Sequence, residues 1–178
     1  FIQCKTSEKA FYQDIQNFKK ADKSYPPDKD IILFVGSSSF TYWIDVQKDL
    51  NNTKILNRGF GGSTLVDLWR YKDDVIFAYK PKQIVIYCGE NDVASSENVS
   101  GSEVAGRFIK LFEKIKKKYP EIPVVFISLK PSPSRWKMKD RMIETNHLIR
   151  QFADAENNLV FVDIWDKMLN ENGYPKSE

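Results

Sequence analysis

The sequence predicts a three-layer α/β/α domain with a five-stranded parallel sheet at its centre. Continuous apolar runs without polar alternation are typical of strands that are covered on both faces. The four runs are Ile31 to Val35, Gln83 to Cys88, Val124 to Leu129 and Leu159 to Val162. A weaker strand, Lys54 to Asn57, lies between the first two. The segments between the strands read as helices, and this alternation favours a parallel sheet with helices on both faces.

Three helices are predicted from apolar residues spaced three or four apart. The first is short and N-terminal, and its apolar positions are Phe11, Ile15 and Phe18. The second runs from about Glu103 to Tyr119, where Pro120 ends it, and Ser100 and Glu103 form a capping box at its start. Its stripe consists of Val104, Phe108, Leu111, Ile115 and Tyr119. The third runs from about Lys137 to Ala155, with a stripe of Met138, Met142, Thr145, Ile149 and Phe152.

The size and charge of the chain limit its organisation and its partners. The 178 residues, 42% of them hydrophobic, suit one globular domain with a substantial core. We divide it into an N-terminal helix and linker over residues 1–28 and a main domain over residues 29–178. The net charge of +3 comes from 27 basic and 24 acidic residues. It gives no electrostatic case for binding nucleic acid or an anionic membrane, and no stretch reaches the roughly 20 apolar residues of a transmembrane helix.

The N-terminal residues and the cysteines leave several interpretations open. The chain begins at Phe1 rather than Met, which suggests an upstream segment such as a signal peptide. In one interpretation, residues 1–4 are the remnant of a bacterial lipoprotein cleavage site with Cys4 as the lipid anchor, although Gln3 fits that pattern poorly. That interpretation favours a secreted, periplasmic or outer-surface protein. A Cys4–Cys88 disulfide is a further alternative.

Three short segments that each follow a predicted strand carry the functional signal. They are Gly36-Ser37-Ser38-Ser39, Asn57-Arg58-Gly59-Phe60-Gly61-Gly62-Ser63 and Gly89-Glu90-Asn91-Asp92. In open parallel sheets, ligands bind beyond the carboxyl ends of the strands. Together the segments supply a hydroxyl nucleophile, a glycine N–H and an asparagine amide, which can attack a carbonyl and hold the oxyanion that forms. Singly, each has a structural explanation as a helix cap, a glycine turn or an Asn-Asp turn.

The combination resembles the SGNH hydrolases, also called GDSL-type esterases and lipases, and is nearest to their platelet-activating-factor acetylhydrolase-like branch. The resemblance covers the chain from about Ile31 to its end and implies a flavodoxin-like fold. It implies that Ser38 is the nucleophile and also donates its backbone N–H to the oxyanion hole. It further implies that Gly62 donates a second N–H and that Asn91 donates through its side-chain amide.

The sequence departs from the family pattern in two places. Ser37 replaces the aspartate of the Gly-Asp-Ser block. The Asp-x-x-His block, which carries the base, is absent: Asp163 and Asp166 are not followed by histidine three positions on, and the only histidine, His147, is predicted to face solvent. We expect the chain to end before that block. The final helix would then be missing, apolar surface would be exposed on one sheet face, and the base would lie beyond Glu178.

These observations predict a hydrolase that cleaves carboxylic esters through an acyl-Ser38 intermediate. Its partner would be a small-molecule ester, such as an acetyl or short acyl ester of a lipid or sugar, and no metal or organic cofactor is implied. Arg135 and Trp136, in the loop after the fourth predicted strand, Val124 to Leu129, are candidates for a substrate wall, and the alternative is an ordinary connecting loop. An inactive binding module for a carbohydrate or lipid ester is the alternative function. A nucleotide-binding protein is disfavoured, because no phosphate-loop motif is present.

Overall fold

The predicted parallel sheet is confirmed by the computed structural model, which describes residues 10–176. The five strands lie in the order β2-β1-β3-β4-β5, and all neighbours pair in parallel. Their bounds are β1 Ile31–Gly36, β2 Ile55–Gly59, β3 Pro81–Tyr87, β4 Val124–Ile127 and β5 Leu159–Val162. Each predicted strand corresponds to one of them. The strand order places β1 and β3 at the centre, so the loops that follow them open near the middle of the sheet edge.

The helices alternate with the strands, as the sequence predicts. Their bounds are α1 Tyr12–Ser24, α2 Ser38–Thr41, α3 Val46–Asp49, α4 Leu65–Val75, α5 Glu90–Ser95, α6 Gly101–Lys118 and α7 Lys139–Asp154. Two 3-10 helices, Pro133–Met138 and Asp166–Met168, follow β4 and β5. The predicted third helix therefore starts at Lys139, because the six preceding residues wind as a 3-10 helix.

The helix caps differ in one detail from the prediction. Ser100 Oγ accepts a hydrogen bond of 3.1 Å from the Glu103 N–H, which is half of a capping box. The Glu103 carboxylate binds Arg107, one turn further on, at 2.5 Å. A complete, reciprocal capping box is instead found at the start of α4, between Thr64 and Asp67.

The larger part of the core lies between the sheet and the layer formed by α1, α4, α6 and α7. The predicted stripes of α6 and α7 face this core. Their fully buried members are Val104, Phe108, Leu111, Ile115, Met142, Thr145 and Ile149. Gly101, at the start of α6, is packed so closely on α7 that an added Cβ would lie 2.5 Å from the Arg141 carbonyl oxygen.

The opposite face of the sheet is covered mainly by the short helices α2 and α3. Phe40 and Val46 from these helices pack on Phe34, Ile55 and Tyr87. At the far edge, however, two valines of β5 are exposed on this face. The exposed fraction is 51% for Val160 and 39% for Val162. This is the uncovered apolar surface expected on one face of the sheet.

The N-terminal helix is joined to the main domain through a buried arginine of β2. Arg58 is 8% exposed, its Nε donates to the Tyr79 hydroxyl at 2.7 Å, and its guanidinium pairs with Asp22 of α1. The Tyr79 hydroxyl also donates to Asp22, at 2.6 Å. Burial and the hydrogen bond to Asp22 raise the pKa of Tyr79 to about 12. α1 therefore packs as part of the same folded unit.

Candidate functional site

β1 ends at Gly36, where the neighbouring strand leaves no room for a side chain. A Cβ on Gly36 would lie 2.1 Å from the Tyr87 carbonyl oxygen on β3, far inside van der Waals contact. The next N–H, that of Ser37, donates to the same oxygen at 3.1 Å. Directly after this close approach of β1 to β3, the chain turns into α2, and Ser38 is the first residue of that helix.

The three consecutive serines occupy different environments. Ser37 is 6% exposed, and its Oγ accepts a hydrogen bond of 2.7 Å from Asn91 Nδ2. Ser39 lies close to the phenol of Tyr87 and also lines a cleft. Ser38 is half-buried and lines the same cleft, and within residues 10–176 its hydroxyl forms no hydrogen bond. The Ser37 hydroxyl is therefore engaged by Asn91, whereas the Ser38 hydroxyl is available to a ligand in the cleft.

The glycine-rich turn after β2 is fastened to the end of β1. The Phe60 N–H and the Ser63 hydroxyl both donate to the Gly36 carbonyl, at 2.9 Å and 3.3 Å. A Cβ added to Gly61 would lie 3.9 Å from Ser38 Cβ, so the turn runs in contact with that serine. Gly62 has a φ of +86°, in the left-handed region that favours glycine.

The backbone N–H groups of Ser38 and Gly62 donate to no acceptor in the described part of the chain. The Ser38 N–H belongs to the first turn of a helix, where such groups have no intrahelical partner. The Gly62 N–H is left free by the left-handed turn. Unpaired backbone donors of this kind can bind an oxyanion.

Asn91 connects the loops that follow four strands. Its Nδ2 donates to Ser37 Oγ at 2.7 Å and to the Ser63 carbonyl at 2.9 Å. Its Oδ1 accepts a hydrogen bond of 2.6 Å from Arg135 Nη2. Asn91 itself follows β3, and its partners follow β1, β2 and β4. The structure thus brings Asn91 and Arg135 together with the serine segment, as the sequence predicts for residues at one edge of the sheet.

A polar cleft of about 390 Å³ opens at this edge. Ser38, Ser39 and Tyr42 line it from the segment after β1, and Glu90 lines it from the start of α5. The remaining lining residues belong to the loop after β4, and they are Lys130, Ser132, Ser134 and Arg135. Among residues 10–176, no aliphatic side chain lines this cleft, so this part of the chain offers hydrogen-bond donors and acceptors rather than a surface for an alkyl chain.

Trp136, the second candidate for a substrate wall, is not among the residues that line this cleft. Its ring stacks on Trp165 with 6.5 Å between centroids and lies 5.5 Å from the ring of Tyr174. Lys139 Nζ lies 4.8 Å from its centroid. These contacts use the indole to pack the C-terminal residues onto the 3-10 helix after β4, and the substrate-wall role of Trp136 stays a prediction.

One carboxylate of the cleft is held by a buried phenol. The Tyr87 hydroxyl donates to Glu90 Oε1, which also accepts from the Lys130 N–H at 3.3 Å. Burial raises the pKa of Tyr87 well above its usual value, and the neighbouring Glu90 charge adds to the effect. The phenol therefore stays protonated and remains a donor to Glu90. Neither Tyr87 nor Glu90 was singled out from the sequence. The signal that could have identified Glu90 is its position in the segment Gly89-Glu90-Asn91-Asp92.

The single histidine lies outside this cleft. His147 is on the exposed face of α7, as predicted, and lines a second cleft of about 350 Å³ with Arg150, Asp163 and Asp166. Asp163 Oδ1 accepts a hydrogen bond of 2.9 Å from the Trp165 N–H, and its carboxylate pairs with Arg150 of α7. Within residues 10–176, no group of three or more His, Cys, Asp or Glu side chains is arranged to hold a metal ion.

Residues 36–178 match the model of the GDSL-like Lipase/Acylhydrolase family. The chain belongs to this family. The matched range begins at Gly36 and includes the serine segment, the glycine-rich turn and Asn91. Over residues 10–176, none of the helices combines the length and apolar character needed to cross a bilayer. Cys4, the suggested lipid anchor, lies outside the described residues.

Curated relatives and solved structures agree with this assignment. The chain is 32% identical over 163 residues to platelet-activating factor acetylhydrolase IB subunit alpha2 of Homo sapiens. The match covers 85% of this chain but only 65% of that relative's length. Among solved structures, a Streptococcus pneumoniae protein linked by name to platelet activating factor has a TM-score of 0.78 at 20% identity, covering 93% of this chain and 80% of the other. A GDSL-like lipase from Bacteroides thetaiotaomicron has a TM-score of 0.71 at 20% identity, covering 92% and 89%.

Proposed function

We propose that this protein hydrolyses carboxylic esters through an acyl-Ser38 intermediate. The observation that supports this most is the combination at one sheet edge of a free hydroxyl on Ser38, free N–H groups on Ser38 and Gly62, and the amide of Asn91. These groups match the needs of acyl transfer, which are a nucleophile and preorganised donors for the developing oxyanion.

In the proposed reaction, Ser38 Oγ attacks the ester carbonyl carbon, and its proton passes to a base. The oxyanion of the tetrahedral intermediate accepts hydrogen bonds from the Ser38 and Gly62 N–H groups and from Asn91 Nδ2. The carbon–oxygen bond to the alcohol then breaks, and the alcohol leaves with the proton that the base returns. Water attacks the acyl-serine in the same way, which releases the acid and regenerates the hydroxyl.

The proposal requires a base, and His147 does not supply it. That side chain lines a different cleft from Ser38, and it is the only histidine in the sequence. We therefore propose that the base is a histidine that lies beyond Glu178. Removal of the base from a serine triad leaves only residual catalysis, so residues 1–178 alone should turn over slowly.

We propose short acyl esters of polar alcohols as the substrate class. The cleft beside Ser38 is lined by hydroxyls and charged groups, and the described residues give it no aliphatic side chain to bury an alkyl chain. Each methylene left in water forgoes about 0.8 kcal/mol of burial free energy, so a long acyl chain gains little here. The curated relative is itself named an acetylhydrolase. Serine hydroxyls, Lys130 and Arg135 would bind the oxygen atoms of a sugar or similar alcohol.

The substrate class is tested by hydrolysis of acetyl, butyryl and octanoyl esters of one alcohol. The expected result is that kcat/KM is highest for the acetyl ester and that Ser38→Ala abolishes the hydrolysis of all three. A higher kcat/KM for the octanoyl ester would refute the short-acyl assignment. If the full-length protein gave no Ser38-dependent hydrolysis of any ester, the enzymatic proposal itself would be wrong.

A second candidate function is an inactive module that binds a carbohydrate or lipid ester. One observation favours it, namely that the single histidine of the sequence lies away from the Ser38 cleft. Such a module would bind an acetylated sugar or a lipid ester saturably and release it uncleaved. Calorimetric binding of the ester followed by mass analysis of the recovered ligand distinguishes the two functions.

A further inference from the structure

We propose that Arg135 is a positioning residue that orients and polarises the Asn91 side chain for its role in the oxyanion hole. This inference rests on the proposed function, because it assigns Arg135 a part in the same reaction. Arg135 was predicted from the sequence only as a wall residue. Its contact with Asn91 Oδ1, at 2.6 Å, gives it a different role.

The two ends of the Asn91 amide are held by groups of opposite character. A guanidinium carries only donors, so Arg135 Nη2 requires the oxygen of the amide to face it. The Ser63 carbonyl is only an acceptor, and it bonds to Nδ2 at 2.9 Å. Together these contacts exclude the flipped amide. The second Nδ2 hydrogen is directed to Ser37 Oγ, in the residue beside the proposed nucleophile.

The charge of Arg135 is only partly neutralised in the structure. Its nearest carboxylate oxygen, Glu90 Oε2, is 3.9 Å from Nη1. Glu90 is already bound by the Tyr87 hydroxyl and the Lys130 N–H. Arg135 Nη1 is buried and has no hydrogen-bond partner in the described part of the chain. A buried donor without a partner is costly, and such a group in a native structure requires an explanation.

The role that we assign to this partly neutralised, buried charge is electrostatic. A cation that donates to Oδ1 withdraws electron density from the amide and strengthens its N–H groups as donors, because linked hydrogen bonds polarise one another. The positive charge then favours the state in which the tetrahedral intermediate carries its negative charge. In the resting site, Asn91 Nδ2 donates a hydrogen bond to a neutral acceptor, the Ser37 hydroxyl. When an oxyanion forms, Nδ2 can donate to the oxyanion instead.

The inference is tested by the rate at which a fluorophosphonate labels Ser38 in the full-length protein. Arg135→Met should lower the second-order rate constant about 10- to 100-fold, the range of a charge-assisted hydrogen bond. Arg135→Lys keeps the charge but not the planar fork, so its labelling rate should lie between those of the wild type and Arg135→Met. Lys137→Met removes the same charge from the same 3-10 helix and should remain within about two-fold of the wild type, because Lys137 is exposed and lies outside the cleft.

A double-mutant cycle separates positioning from a merely structural effect. If Arg135 acts through Asn91, Arg135→Met should change the labelling rate less than about two-fold when Asn91 is already alanine. The same 10- to 100-fold loss in both backgrounds would overturn the inference. Added guanidinium should restore part of the rate to Arg135→Met, and unchanged rates across the added concentrations would also count against it.

Nuclear magnetic resonance gives a readout that does not depend on reactivity. In ¹⁵N-labelled wild type, the Asn91 side chain should give two resolved, slowly exchanging amide protons, and Asn91→Asp assigns them by their loss. In Arg135→Lys, and in Arg135→Met if it folds, these signals should shift and their exchange with solvent should accelerate. Unchanged signals in Arg135→Lys would overturn the inference. A wild type that the fluorophosphonate does not label, together with shifted signals in the variant, would count against the proposed function but not against the orienting contact.

Discussion

Arg107 Nη1 on α6 donates a hydrogen bond of 2.7 Å to Oδ1 of Asp92, a carboxylate with no exposed surface. The other oxygen of Asp92 accepts from the Leu65 N–H at the start of α4, at 2.8 Å. Burial raises the pKa of Asp92, and the bonds from Leu65 and Arg107 oppose that rise. Asp92 directly follows Asn91, so these contacts fix the segment that carries the Asn91 amide, proposed for the oxyanion hole, to two neighbouring helices.

Asp92→Asn should therefore destabilise the fold strongly. Breaking a buried pair leaves Arg107 without its buried partner and with Glu103 alone, which should lower the free energy of unfolding by about 3 kcal/mol. Glu103→Gln is the matched control, because Glu103 binds the same Arg107 but its side chain is 50% exposed. Its loss should be about 0.5 kcal/mol. Urea denaturation measures both values, and equal losses would contradict the account.

Gly59 and Gly106 should respond in opposite ways to replacement by alanine. A Cβ on Gly59 would lie 2.7 Å from Phe40 Cβ and 2.9 Å from the Thr41 backbone nitrogen, so α2 and its Ser38 must move. Overpacking of this kind costs about 1 to 3 kcal/mol. A Cβ on Gly106 meets nothing within 4 Å, and alanine in a helix interior should add about 0.5 to 1 kcal/mol. Thermal unfolding distinguishes these outcomes, and a stabilised Gly59→Ala would contradict the packing described for α2.

The buried phenol of Tyr79 predicts a loss of stability at alkaline pH. Its pKa is about 12 in the folded protein, against 10.0 for an ordinary tyrosine. The folded state therefore keeps a proton that the unfolded state releases first, and the free energy of unfolding should fall as pH rises from 10 to 12. Tyr79→Phe lacks this group, so its curve should fall less steeply over that interval. Urea denaturation at pH 9, 10 and 11 checks the difference, and parallel curves would contradict it.

The sheet and its principal helices were predictable from the sequence because burial on both faces leaves a clear pattern. Leu159 to Val162 was predicted as a strand and observed with the same bounds. The weaker strand, predicted over Lys54 to Asn57, was found as β2, although polar Asn57 and Arg58 interrupt its apolar pattern. The start of the third helix was placed two residues early, because a 3-10 helix continues the same apolar spacing up to Met138.

The site was predictable only where local motifs define it. Ser38, Gly62 and Asn91 follow strands, so their meeting at one edge comes from the topology, whereas their catalytic roles remain predictions. The hydrogen bond from Arg135 to Asn91 joins residues 44 positions apart. No periodicity or spacing reports such a contact. For Trp136, the sequence shows an aromatic residue in a loop near the site but does not show what its ring contacts. In the structure the ring packs on Trp165, and Trp136 is not among the residues that line the cleft.

The measurement that tests the central claim most directly is the intact mass of the full-length protein after reaction with a fluorophosphonate. The three consecutive serines provide their own controls, because Ser37 is hydrogen-bonded to Asn91, Ser39 lies beside the Tyr87 phenol, and the Ser38 hydroxyl has no partner within residues 10–176. We expect one adduct in the wild type, in Ser37→Ala and in Ser39→Ala, and no adduct in Ser38→Ala. An adduct that persists in Ser38→Ala, or a wild type that never reacts, would contradict the assignment of Ser38 as the nucleophile.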